Sequence, residues 1–171
     1  MRWRIGCLLS LSLVVGFCVG LCIKFIYESK TFKPYYWDRP PIIANCYGDD
    51  FSELQMTRAI HFWTMRGHHI GFYEHNPPDS ICKSRDMIHG FIVLRKAGRF
   101  EFDGHTLANT RRRTSGLIIK SVEIRYRPGS HNLDLINEHE LGHAFGYAHV
   151  EIEGHVMHPI FDRMGPKFWI P

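Results

Sequence analysis

The sequence predicts an α+β domain behind one hydrophobic N-terminal segment. Three observations carry that expectation. Residues 42–94 read as strand, helix, strand, strand, an order that suits helices packed on a sheet. A later helix carries His139, Glu140, His143, Gly146 and His149 at regular spacing. The first 26 residues hold an uncharged apolar run unlike anything after it.

That run extends from Ile5 to Ile23, 19 residues, about the length needed to cross roughly 30 Å of hydrocarbon. Arg2 and Arg4 precede it. The apolar stretch is long and no A-x-A-like site follows. An uncleaved signal-anchor over residues 1–26 therefore fits better than a cleaved signal peptide, which stays the alternative. Residues 5–26 would hold the chain in a membrane. The leading arginines favour a cytoplasmic N-terminus with the domain outside, although Lys24, Lys30 and Lys33 flank the other side.

Residues 27–40 contain Pro34, Pro40 and the cluster Tyr35, Tyr36, Trp37. They read as a juxtamembrane connector able to pack on the domain, with membrane-interface aromatics as the alternative, leaving 41–171 for the domain. Hydrophobic content of 44% is ordinary for a globular body, and a net charge of +4 is too mild to argue for nucleic acid. Cys7, Cys18 and Cys22 lie in the apolar run, so the domain holds only Cys46 and Cys82. A disulfide in an oxidising compartment and two buried thiols are both consistent with that pair.

Within the domain, Ile42–Tyr47 reads as the first strand. Gly48-Asp49-Asp50 is a turn, and Asp50 or Ser52 caps the helix that follows. Phe51, Leu54, Arg58, Ala59, Phe62 and Trp63 recur at three and four residues and define its face. Gly67 ends it. His68–Glu74 is a second strand, residues 76–79 a Pro-rich loop, and Ile88–Leu94 a nearly all-apolar third strand. Residues 97–116 read as a long loop. Its Arg111, Arg112 and Arg113 suit either attraction to an acidic substrate or a membrane, or a solvated hairpin end that protects a sheet edge. Leu117–Tyr126 is a strand with an irregularity near Ser121, broken by Pro128-Gly129. Ser130 or Asn132 is placed to cap the next helix, and Asp134 and Glu138 suit its N-terminal half.

On that helix His139 and His143 lie one turn apart on one face. Glu140 stands close enough to reach a water bound between them. Gly146 takes positive φ at no steric cost, so the chain can turn and bring back His149. Three imidazoles and one open position form the catalytic arrangement of zinc. A chance pair of histidines at this spacing carries little weight in a chain with 12 of them; the full H-E-x-x-H-x-x-G-x-x-H pattern carries much more.

Met157 follows His149 by eight residues, in Gly154-His155-Val156-Met157-His158-Pro159. The motif and this turn together resemble the metzincin clan of zinc peptidases. Met-His-Pro, His-Glu-Leu-Gly-His and Phe-Gly-Tyr look like the matrixin branch within it. Val150 departs from the serine that matrixins usually carry after the third histidine. The motif resemblance covers residues 139–159, and a looser one reaches back to residue 41.

The resemblance implies a twisted mixed sheet, a long first helix and a zinc-binding helix. It implies that Met157 forms a hydrophobic floor beneath the metal. Phe102-Asp103-Gly104 followed by Leu107-Ala108 resembles the matrixin passage leading into the edge strand above the cleft. Thr106, Leu107, Ala108 and Asn109 are thereby expected to border a bound polypeptide substrate. Asn109 stands where matrixins have a histidine for a second, structural zinc, which weighs against that second ion. Metzincins also follow the Met-turn with a C-terminal helix, whereas residues 160–166 allow a turn or two at most.

The expected activity is zinc-dependent endopeptidase chemistry, with a water in the open position activated by Glu140. A zinc-binding structural or interaction module without turnover, and a hydrolase of cell-wall peptides, are the alternatives. Glu140 weighs against the first, because a purely structural site needs the histidines but not the carboxylate.

Overall fold

The computed structural model describes residues 35–98 and 101–169. The anchor expected over residues 5–26, with its three cysteines, lies outside them. Among the described residues no helix is long and apolar enough to cross a membrane.

Six strands form one mixed sheet: β1 (Tyr36–Trp37), β2 (Ile42–Cys46), β3 (Phe72–Glu74), β4 (Phe91–Lys96), β5 (Ala108–Ser115) and β6 (Ile118–Tyr126). The path runs β1-β6-β4-β2-β3, with β5 paired to β6. All pairs are parallel except β5–β6. β1 meets Ile118 and Ile119, while β4 meets Val122 to Tyr126, so these two share one edge of β6 and β5 takes the other. Among the described strands β5 pairs only with β6, leaving its outer edge open.

Helix α1 (Glu53–Thr64) starts at Ser52, whose hydroxyl accepts from the Gln55 amide at 3.3 Å. It buries Met56, Ala59 and Trp63. The expected face was displaced: Leu54 is 80% exposed and Met56 takes the core position. The choice is settled by Trp63, which packs against the helix bearing His139 and His143, and residues four and seven before it follow onto the same face. Trp63 is wholly buried together with Phe51, Leu94, Ile124, Tyr126 and Leu141.

Three stretches differ from expectation. Strand β3 covers only Phe72–Glu74, because His68 turns inward to stack on Phe145 at 4.4 Å and hydrogen-bonds the Tyr147 hydroxyl at 2.9 Å. A short helix α2 (Asp79–Cys82) starts at the last residue of the expected Pro-rich loop. The arginine run lies within β5, an edge strand that occupies the second half of the expected loop. Three consecutive arginines conceal alternation, yet Arg112 is half-buried while Arg111 and Arg113 are exposed.

The β6 irregularity is real but lies at Lys120. Arg113 pairs with Ser121 and Thr114 with Ile119, so Lys120 has no partner on β5. The segment expected as connector also contributes structure. Tyr36 and Trp37 form β1, and the Trp37 indole donates to the Ala144 carbonyl at 2.9 Å.

Candidate metal centre and catalytic cleft

Helix α3 (Ile136–Ala144) buries four consecutive polar residues, Asn137, Glu138, His139 and Glu140. Buried polar groups are costly unless they find partners. Glu138 finds Arg58 of α1 at 2.8 Å, and Arg58 also reaches Asp134 at 2.7 Å. The Trp63 indole donates to the Glu138 carbonyl at 2.7 Å. The expected caps do not start the helix. Ser130–Asn132 form a separate 3-10 turn, and Leu135 precedes α3 with φ +63 and no side-chain cap bond. No other described non-glycine residue has positive φ.

His139 and His143 project from one face of α3. The His143 Nε2 lies 3.0 Å from Nε2 of His139 and 3.1 Å from Nε2 of His149. The chain reaches His149 through Gly146, which has φ +99 and packs where a Cβ would stand 2.8 Å from the Tyr35 carbonyl oxygen. His139 Nδ1 lies 2.8 Å from the Val156 carbonyl, and His143 Nδ1 lies 2.9 Å from the Tyr147 carbonyl. A carbonyl only accepts, so each Nδ1 carries the hydrogen and each Nε2 presents a lone pair.

Converging lone pairs repel unless a cation stands among them. Burial also holds these imidazoles neutral: it pushes the His139 pKa down to about 4 and that of His143 to about 3, and lowers that of His149. Neutral nitrogens with anchored far sides are what a bound metal requires. The three ligand atoms lie within 4.8 Å of one another, and these residues are the group of that kind among the described residues. The donor set therefore fits zinc.

Met157 is fully buried beneath this helix. Its amide donates to His155 Nδ1 at 3.0 Å, so His155 Nε2 carries the hydrogen and donates to the Trp169 carbonyl at 3.2 Å. The turn is thus tied to the C-terminal stretch. That stretch includes a 3-10 turn, Phe161–Arg163, and Phe161 and Met164 line the cleft.

The cleft has a volume of about 550 Å³ and runs between α3 and β5. Of the expected border residues, Ala108 and Asn109 open β5, while Thr106 and Leu107 lead into it; all four line the cleft. The Leu107 carbonyl is occupied from within, by the Arg127 amide at 2.9 Å and the Ser130 hydroxyl at 2.5 Å. Glu140 is 4% exposed, and burial raises its carboxyl pKa to about 7. The Thr110 hydroxyl donates to Glu140 Oε2 at 2.5 Å, which opposes that rise. Remote from the cleft, a disulfide joins Cys46 at the end of β2 to Cys82 of α2, with Cα atoms 5.2 Å apart.

Sequence reasoning did not place Thr110, Arg112 or His158 in the cleft. Thr110 touches Glu140, Arg112 donates to the His143 carbonyl at 2.8 Å, and His158 is 5% exposed beside Met157. Reading 97–116 as a loop removed the period of two that puts Ala108, Thr110 and Arg112 on one face.

Compared with known proteins, residues 50–170 match the family model described as matrixin, of the peptidases. No curated protein matches the chain.

Proposed function

The chain belongs to the matrixin family of metallopeptidases, and on that premise we propose that it is a zinc-dependent endopeptidase. The observation that carries the reading is the pairing of three converging Nε2 atoms with a buried carboxylate in one cleft. His139, His143 and His149 would hold the zinc. When bound, zinc lowers the pKa of water toward about 7 and polarises a carbonyl as a Lewis acid.

Glu140 accepts the proton of the attacking water and delivers it to the departing amine. Its raised pKa suits that exchange, because a carboxyl near neutrality both takes and returns a proton. The polypeptide substrate adds to the open edge of β5 by backbone pairing. The Cys46–Cys82 disulfide supports placing the domain in an oxidising compartment.

The test uses the full-length chain and fluorescently labelled casein. Wild type should cleave it, and either a zinc chelator or Glu140→Ala should abolish cleavage. The variant should still carry one zinc per chain by metal analysis. A Glu140→Ala protein as active as wild type would remove the carboxylate from the mechanism.

A further inference from the structure

We propose that Thr110 is the positioning residue that aims the Glu140 carboxylate, so that the strand receiving the substrate also orients the base. This rests on the reading of Glu140 as the proton acceptor.

Glu140 has two carboxylate oxygens and a side chain with three rotatable bonds. On a helix that offers several rotamers, only one of which serves a reaction at the three imidazoles. Packing alone settles this poorly for a carboxylate, whose two oxygens are interchangeable in shape. A hydrogen bond to one named oxygen settles it well. Thr110 Oγ1 makes that bond at 2.5 Å to Oε2, and it lies 3.4 Å from the Glu140 carbonyl oxygen. Among the described residues no other side chain bonds the carboxylate. Oε1 is therefore left for the cleft that Glu140 lines.

The donor is itself held rigidly. Thr110 pairs with Ile124 within the β5–β6 ladder, with three residue pairs between it and the register shift. A β-branched side chain on a strand has a restricted χ1, so the hydroxyl direction follows the backbone. The bond is charge-assisted when Glu140 is ionised, and such bonds are both shorter and stronger than neutral ones. It spans 30 residues of sequence and joins the sheet edge to the helix.

Two functions then meet in one residue. The Thr110 backbone belongs to the strand whose outer edge is open for a substrate. Its side chain reaches the other way, to the group that handles the proton. A peptide seated on β5 is thus registered against the base through a single rigid strand, with no loop between them.

The experiment compares wild type, Thr110→Val, Thr110→Ser and Glu140→Ala as full-length chains. Valine keeps the branched shape and removes the hydroxyl. Serine keeps the hydroxyl. Four quantities are read: kcat and KM on labelled casein, zinc affinity by competition with a chelating dye, and affinity for acetohydroxamate. The last reports the aim of the carboxylate without turnover, because its hydroxyl needs an acceptor beside the metal.

Thr110→Val should lower kcat by about 10- to 100-fold, part of the full contribution of a positioned base. KM and zinc affinity should stay within about twofold, and acetohydroxamate should bind at least about fivefold more weakly. Thr110→Ser should recover kcat to within about threefold of wild type. The proposal is overturned if Thr110→Val keeps wild-type kcat, if serine fails as badly as valine, or if zinc affinity falls in step with kcat. An inactive wild type or an active Glu140→Ala strikes instead at the peptidase reading itself.

Discussion

Met157 packs its sulfur directly against Gly142, so closely that no side chain at residue 142 fits between them. Gly142 lies on α3 between His139 and His143, one residue before the second imidazole. The contact therefore sets how near the helix bearing the imidazoles approaches the turn bearing Met157. Trp63 closes the same space, since a Cβ on Gly142 would also stand 2.7 Å from its Cζ2.

Gly142→Ala should destabilise the protein. Alanine would improve helix propensity by about 1 kcal/mol, but overpacking against Met157 and the rigid Trp63 indole costs about 1–3 kcal/mol. The ligands at His139 and His143 should shift with the helix. The melting temperature of the zinc-loaded variant should fall and its zinc affinity should weaken; a higher melting temperature would refute this packing account.

Truncation from the other side acts by a different route. Met157→Ala opens a cavity under α3 and should cost about 2–5 kcal/mol. Met157→Leu keeps most of the volume and should cost less than about 1.5 kcal/mol. Denaturant unfolding of the two variants gives both numbers. Equal losses would mean that the thioether, and not its volume, is what the site needs.

The disulfide between Cys46 and Cys82 spans 36 residues and lies away from the cleft. Replacing both cysteines by serine should lower stability by about 2–4 kcal/mol through the freer unfolded chain. Casein cleavage measured well below the melting temperature should be unchanged. A parallel loss of activity would show that β2 and α2 transmit strain to the centre.

Acid should destabilise the chelated protein. Burial lowers the pKa of His139 to about 4 and that of His143 to about 3, against an ordinary 6.5. Between those values the unfolded chain binds protons that the folded chain refuses, so stability falls as pH drops below about 6.5. Glu140 works in the opposite sense: folded, it holds its proton up to about 7, and unfolded it releases it near 4.5. One carboxyl opposes two imidazoles, and His149 and His155, also lowered by burial, side with the imidazoles. Melting temperatures in chelator should fall from pH 7 to pH 5, and Glu140→Gln should steepen that fall. A flat profile would mean that the histidine burial is not kept without metal.

What the sequence determined by itself is local in chain. The spacing of His139, His143, Gly146 and His149 follows from the helical repeat and one positive φ. The structure places all three Nε2 atoms together accordingly. How Tyr36 and Trp37 pack on the domain was not legible, because their pairing partners in β6 and the Trp37 contact on α3 lie more than 80 residues away. Thr110 could not be found either, because its meeting with Glu140 depends on the register of β5. Residues on a strand alternate between faces, and a slip of one position would send Thr110 outward and bring Asn109 or Arg111 toward α3. That register is set by the pairing along β6 and the unpaired Lys120, so only the assembled sheet decides which side chain reaches Glu140.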